Sequence, residues 1–280
     1  MASWTYIEGK WLAGNPPILG PMSHAMWQSS LVFDGARAFD GMTPDLDRHC
    51  ARAVQSALNL GLGPMLTGGE IEEIAREGIG HFPSGAALYI RPMFWAETGF
   101  IGGDPRSTRF ALTVYDLAMP PDGGISATLS PFRRPSSECA PTDAKAACLY
   151  PNSGRAIAEA RRRGFENAVM LDLLGHVAEF ATANLFLGKD GVAHTPLPNG
   201  SFLNGITRQR VIKLLRRAGI EVIERIIAPT ELFAADEIFA TGNFGKVQAV
   251  TQLDQRRFES GRICRRAREL YWDFAFTGGQ

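Results

Sequence analysis

Nothing in this chain comes near the run of about eighteen uninterrupted apolar residues that a membrane-crossing helix requires, and its first ten positions hold no basic segment leading into an apolar stretch. Neither a membrane span nor a secretory leader is expected, and the chain is read as cytoplasmic. An excess of charge of one sign is missing too. Lysine plus arginine and aspartate plus glutamate stand at 29 each, so no net field draws the molecule to nucleic acid or to an anionic bilayer, and a small-molecule ligand becomes the default. Cysteine is scarce. Cys50, Cys139, Cys148 and Cys264 show no CxxC spacing, which argues against a metal centre and a disulfide framework and for free thiols filling core space. Also absent are G-x-G-x-x-G after a strand, G-x-x-x-x-G-K-[ST], H-E-x-x-H and G-x-S-x-G. Their absence disfavours dinucleotide binding, nucleotide triphosphate hydrolysis, zinc proteolysis and the α/β-hydrolase reaction. No internal repeat or low-complexity tract occurs.

What is present is a chain of 280 residues, longer than the usual single domain and rich enough in apolar residues for a core. Residues 87–95 and 109–115 read as strands. Residues 46–60 read as a helix with Ala53, Val54, Ala57 and Leu58 on one stripe and Gly61 at its end, and a second helix is expected over 70–79. The Pro/Gly cluster at 118–124 can continue neither kind of element and is expected to be a linker. Beyond it, 167–172 and 184–187 read as strands, Gly188 to Gly191 as a tight turn, and 207–218 as a helix with Thr207 as its cap and Gly219 past its end. The expected fold is α+β in two domains, a smaller one over 1–117 and a larger one over 125–280, with a ligand cleft between them.

Four blocks carry a more specific message: Thr142-Asp-Ala-Lys145-Ala-Ala-Cys-Leu-Tyr150, Gly175-His-Val-Ala-Glu179-Phe-Ala-Thr-Ala-Asn184, Leu203-Asn-Gly205-Ile-Thr207-Arg, and Ala235-Asp-Glu-Ile-Phe-Ala-Thr-Gly242-Asn243. In this order and separation they resemble the fold-type IV (class IV) pyridoxal-phosphate aminotransferases, of D-amino acid aminotransferase-like architecture. Upstream, Val32-Phe-Asp-Gly35-Ala-Arg37, Leu46-Asp-Arg-His49-Cys-Ala-Arg52 and Tyr89-Ile-Arg91-Pro resemble the branched-chain branch. The likeness runs from about Trp4 to Asp254.

An aminotransferase needs an amine that bonds the cofactor aldehyde and then shuttles a proton, and the resemblance assigns this to Lys145, within the larger domain. It implies that the carboxylate of Glu179 faces the pyridine nitrogen and keeps it protonated; the residues themselves favour a paired carboxylate there, because an unpaired charge is costly in Val-Ala-Glu-Phe-Ala. It further implies that Arg52 and the Gly205-Ile206-Thr207 turn cradle the phosphate and that Tyr150 bonds the phenolic oxygen. Asn184, Gly242, Asn243 and Phe244 complete the implied cofactor contacts. Arg37, Tyr89 and Arg91, among apolar neighbours such as Phe33, resemble a clamp for the substrate carboxylate. The implied reaction is ping-pong transfer from an amino donor, most simply a branched-chain amino acid, to a 2-keto acid such as 2-oxoglutarate or pyruvate.

The pattern departs in two places. Gln28 stands where branched-chain enzymes typically have a pocket tyrosine, and Asn243 where a threonine is common. Such changes resemble (R)-selective amine transaminases, so an amine donor stays open. A D-amino acid donor, a lyase similar to aminodeoxychorismate lyase and a non-catalytic homologue follow behind. The family implies at least a homodimer, with the glycine-rich stretch Ala96 to Asp104 reaching a partner's pocket.

Overall fold

The computed structural model describes residues 1–278 of the protein, which divide into two units. The first comprises Met1–Met119 together with Asp143–Leu149, and the second Pro120–Thr142 together with the chain from Tyr150 onward. The change of unit after Met119 falls inside the stretch expected to be a linker. The segment that bears Lys145, expected with the larger domain, makes its contacts within the first unit.

In the first unit, β1 (Ser3–Ile7), β2 (Lys10–Ala13), β3 (Leu31–Phe33), β4 (Ala36–Ala38), β5 (Leu88–Ala96) and β6 (Thr108–Asp116) form one sheet in the order β2-β1-β6-β5-β3, with β4 also on β5. Every pairing in it is antiparallel. Along β5, Leu88, Ile90 and Phe94 are buried while Tyr89, Arg91 and Met93 are only partly so, the period-two signature of a sheet with two unlike faces. The short helix α1 (His24–Gln28) precedes β3. Helix α2 (Leu46–Asn59) buries Leu46, Cys50, Ala53 and Ala57 and ends at Leu60 and the left-handed Gly61. Helix α3 (Gly68–Ile79) begins on a capping box in which the Thr67 hydroxyl accepts from the Glu70 amide and the Glu70 carboxylate accepts from the Thr67 amide. Burying each large apolar side chain in such a core contributes roughly 1.5–3 kcal/mol.

In the second unit, over the described residues, a nine-stranded sheet runs β12-β11-β10-β13-β14-β7-β8-β9 with β15 on β14. Its members are β7 (Ile125–Arg133), β8 (Asn167–Leu171), β9 (Val177–Phe180), β10 (Asn184–Lys189), β11 (Val192–Pro196), β12 (Val222–Arg225), β13 (Glu237–Gly242), β14 (Lys246–Leu253) and β15 (Arg256–Arg257). The helices are α4 (Tyr150–Arg162), α5 (Ile206–Arg217), α6 (Pro229–Ala234) and α7 (Arg262–Thr277). Val169, Phe180, Leu185 and Ile238 lie in the core, and Phe186 stacks on Phe239 with ring centroids 4.9 Å apart. The expected turn joins β10 to β11 through Asp190 and Gly191, both at positive φ, the two-residue hairpin such a pair favours.

One local expectation is corrected. Helix α5 starts at Ile206, not at Thr207, and the capping position is Gly205, which has no side chain to offer. The reason is Asn184: its Oδ1 accepts from the Gly205 amide at 3.1 Å, and a Cβ at 205 would fall on that oxygen. No helix of the described residues is long and apolar enough to cross a membrane.

Candidate active site

Between β3 and β4 the chain carries Asp34, completely buried. Helix α2 presents His49 and Arg52, one turn apart, to this carboxylate. Arg52 donates from Nε to Oδ2 at 2.6 Å and from Nη2 to Oδ1 at 2.9 Å, while His49 Nδ1 lies 2.7 Å from Oδ1. Burial by itself would raise the Asp34 carboxyl. The Arg52 and His49 charges and their hydrogen bonds outweigh it and hold the group well below the usual carboxylate range. A two-point pair fixes the plane of the guanidinium, so Asp34 dictates where Arg52 points.

The Lys145 segment lies along the edge of β3. The Phe33 amide donates to Lys145 O at 3.1 Å, the Lys145 amide donates to Ser56 Oγ at 3.1 Å, and Val32 and Ala146 form an isolated antiparallel bridge. The Lys145 backbone is thus held at its carbonyl by the Phe33 amide and at its amide by the Ser56 hydroxyl, while its Nζ sits 5.1 Å from the centre of the Phe33 ring.

Register puts the other candidates of this unit on the same face of the sheet. Phe33 pairs with Met93, Arg37 with Tyr89, and Tyr89 with Tyr115, and directly paired residues project to one side. Tyr89 and Tyr115 stack at 5.4 Å. The Arg91 guanidinium lies 5.4 Å from the first ring and 5.1 Å from the second and donates to the Tyr115 hydroxyl. Burial lowers the pKa of Arg37, an effect opposed by the two tyrosines; its Nη2 donates to Leu117 O at 2.6 Å and to Met119 Sδ at 2.8 Å. Gly35 is dictated by the same cluster, since a Cβ there would strike the Tyr89 hydroxyl. Gln28, the last residue of α1, is exposed, and no described contact joins it to Tyr89 or Arg91.

In the second unit Glu179, on β9, is held from two sides. Arg134 Nε lies 3.3 Å from its Oε1, and Asn184 Nδ2 donates to its Oε2 at 3.2 Å. Arg134 is itself buried and anchored on Ser201 O at 3.1 Å. The pairing offsets the cost of placing a carboxylate in an apolar setting. Asn184 also donates to Leu203 O at 2.9 Å, so one amide ties the carboxylate to the loop that opens α5. Ile206 and the buried Thr207 form the first turn of that helix, where backbone N–H groups lack intrahelical partners.

Gly242 ends β13 and pairs with Lys246, the first residue of β14, leaving Asn243, Phe244 and Gly245 as the connection. Phe244 is half exposed and Lys246 buried. Tyr150, first residue of α4, is 37 % exposed. Reading the sequence missed Asp34, Ser56, Tyr115, Arg134 and Lys246. An acid between Phe33 and Gly35 was a signal for the first; the others had none beyond residue type.

The comparisons with known proteins follow this geometry. Residues 31–253 match the family model described as "Amino-transferase class IV". A crystal structure of an aminotransferase from Brucella abortus bound to the co-factor PLP superposes with a TM-score of 0.97 at 50% identity, covering 99% of this chain and 100% of that one. The branched-chain-amino-acid aminotransferase of Escherichia coli (strain K12) is 31% identical over 99% of this chain and 94% of its own. The branched-chain aminotransferase from the thermophilic archaeon Thermoproteus uzoniensis, in its crystal structure with norvaline, superposes with a TM-score of 0.92 at 28% identity, covering 99% of this chain and 96% of that one.

Proposed function

This chain belongs to the class IV aminotransferases, fold-type IV enzymes that work with pyridoxal 5'-phosphate, and we propose from that membership that it moves the amino group of a branched-chain amino acid to a 2-keto acid, 2-oxoglutarate or pyruvate, in two half-reactions. One observation carries the reading. The Lys145 segment, Phe33, Met93, Arg91 and the Tyr89–Tyr115 stack share one face of a sheet, with Lys145 Nζ 5.1 Å from the Phe33 ring. An amine, an apolar wall and a cation on one face suit a substrate with an apolar side chain and a carboxylate. The names of the relatives support the same choice.

The residues fit the cofactor. Helix α5 opens without a side-chain cap, and Thr241 Oγ1 and Asn243 Nδ2 are buried without a hydrogen-bond partner. Buried polar atoms are seldom left so, and an oxyanion would satisfy them. Arg52 and the first turn of α5 would hold the phosphate, Glu179 the ring nitrogen, Tyr150 the phenolic oxygen, and Lys145 the cofactor itself. When bound, the cofactor accepts the electron pair left on the substrate when a proton leaves its Cα. Lys145 Nζ takes that proton and returns it, working as general base and then general acid. Arg91, held by Tyr115, receives the carboxylate of the acceptor, and Arg37, paired with Tyr89 in the sheet, completes the clamp. Arg134 and Asn184 keep Glu179 from turning. We also propose a homodimer, supported by Phe100 and Ile101, 79% and 86% exposed in the glycine-rich stretch before Asp104.

The test is the visible spectrum of the cofactor-loaded protein on adding L-leucine or (R)-1-phenylethylamine to separate samples. Loss of the cofactor band with L-leucine, and its return with 2-oxoglutarate or pyruvate, supports the proposal. A response to the amine alone would replace it with amine transamination. A protein that responds to neither has another donor.

A further inference from the structure

The turn joining β13 to β14 ends on a lysine to which the proposed reaction gives no part. Lys246 is 1% exposed, yet it sits at φ 59°. Left-handed backbone is unfavourable for a residue with a Cβ and is tolerated mostly in glycine, asparagine and aspartate. Long charged side chains are also among the last to be buried whole. Two unfavourable features at one residue mark a position held for a purpose, and strain of this kind gathers at functional sites. The purpose is visible in what the ammonium touches. Lys246 Nζ donates to Asn243 Oδ1 at 2.9 Å and stands 5.7 Å from the centre of the Tyr271 ring.

A primary amide has one accepting and one donating end, and fixing one orients the other. A lysine offers only donors, so the Asn243 oxygen must face it and the NH2 must face away. That NH2 is buried and has no hydrogen-bond partner, and the hydroxyl of Thr241, two residues earlier and itself fully buried, has none either. We propose that Lys246 is a positioning residue: it locks the Asn243 amide so that Nδ2, together with Thr241 Oγ1, is offered to an oxyanion. The phosphate of the cofactor and the carboxylate of the amino or keto acid share that chemistry. The proposal rests on the reading of this chain as a pyridoxal-phosphate aminotransferase.

The experiment compares the apoprotein of the parent with Lys246→Met, Asn243→Ala, the double variant and Asn243→Asp. Each is titrated with pyridoxal 5'-phosphate and, separately, with pyridoxal, and after loading the KM values for donor and acceptor are measured. Lys246→Met is expected to weaken one oxyanion about tenfold, the size of one lost charge-assisted contact. Loss for pyridoxal 5'-phosphate but not for pyridoxal assigns the phosphate. A raised KM with both cofactor constants unchanged assigns the substrate carboxylate. In either case Lys246→Met should add nothing in the Asn243→Ala background, because the lysine acts through the amide. Asn243→Asp, which keeps an acceptor for Lys246 but turns a carboxylate on the oxyanion, should lose more than Asn243→Ala. It serves as the test if Lys246→Met fails to fold. The proposal is overturned by a Lys246→Met protein with parental constants, by an equal loss in the Asn243→Ala background, or by an Asn243→Asp protein that binds like the parent. A parent that binds neither compound overturns the cofactor reading beneath it, a result distinct from all of these.

Discussion

Asp34 is the residue on which the first unit's charged side chains turn. It has no exposure to water and accepts from both His49 and Arg52, so Asp34→Asn leaves the Arg52 guanidinium and the His49 ring facing a neutral amide. Removing one member of a buried pair costs about 3–5 kcal/mol, and a denaturant titration of the folded protein near neutral pH should show a loss of that size. The pH dependence has a definite sign. The carboxyl has an ordinary value of 3.8 and lies well below it in the fold, so its contribution is complete above about pH 4 and is lost as pH falls toward the folded value. The gap between parent and variant should therefore close in acid, and a gap that widens below about pH 4 would contradict the pairing. At Lys145 the expectation concerns rate. Lys145→Ala should lower turnover by about 10³-fold, the scale of a missing proton shuttle, in a stopped assay with L-leucine and 2-oxoglutarate. Residues of this kind differ in how far they could be read beforehand. Lys145 stands among small residues in a recognisable block. Arg134 lies in Phe-Arg-Arg-Pro, which reads as surface charge, and its meeting with Glu179 depends on β7 and β9 flanking β8, which no local pattern states.

At the scale of elements, period and breakers told strand from helix well. Strand β5 and helices α2 and α3 were expected within a residue or two of where they lie. Pairing was not legible. The alternation along β5 says that Tyr89 and Arg91 share a face, but only the register of β6 brings Tyr115 opposite Tyr89 and within reach of Arg91. That contact gives a prediction. Tyr115→Phe keeps the stack and removes the hydroxyl, so the KM for 2-oxoglutarate should rise about tenfold, the worth of a hydrogen bond to a charged group, with kcat little changed. An unchanged KM would detach Arg91 from the acceptor. The start of α5 was misread for a related reason: Thr207 has the chemistry of a cap, but the capping position is set by Asn184 crossing from β10. Gly205→Ala puts a methyl on Asn184 Oδ1. At φ −60° and ψ 142° the backbone itself accepts alanine, so the damage passes through Asn184 to Glu179. Weaker binding of pyridoxal 5'-phosphate to the apoprotein is expected, and titration of the apoprotein would detect it.

For the whole molecule, the path of the chain matters more than the count of its domains. It leaves the first unit after Met119, returns for Asp143–Leu149 and leaves again at Tyr150. The return brings Lys145 to the Phe33 amide and Ser56, so the grip on the lysine proposed to bear the cofactor belongs to the first unit. Two cysteines report on the two units. Cys50, fully buried in α2, and Cys264, 2% exposed in α7, are both pushed up to about 12 by burial, and a thiol held this way reacts only when its surroundings open. Cys139 and Cys148 are exposed and should label in the native protein, Cys148 the more slowly because burial pushes its thiol up. In rising denaturant, with labelling read by peptide mass, loss of the bound-cofactor band should follow the labelling of Cys50. The reason is local. Opening the first unit removes Phe33, Ser56 and the Val32–Ala146 bridge together, whereas opening around α7 leaves those contacts standing. A cofactor band that outlasts complete labelling of Cys50 would show that Lys145 keeps its place without the strand edge described here, and the assignment of its support to β3 and α2 would then fail.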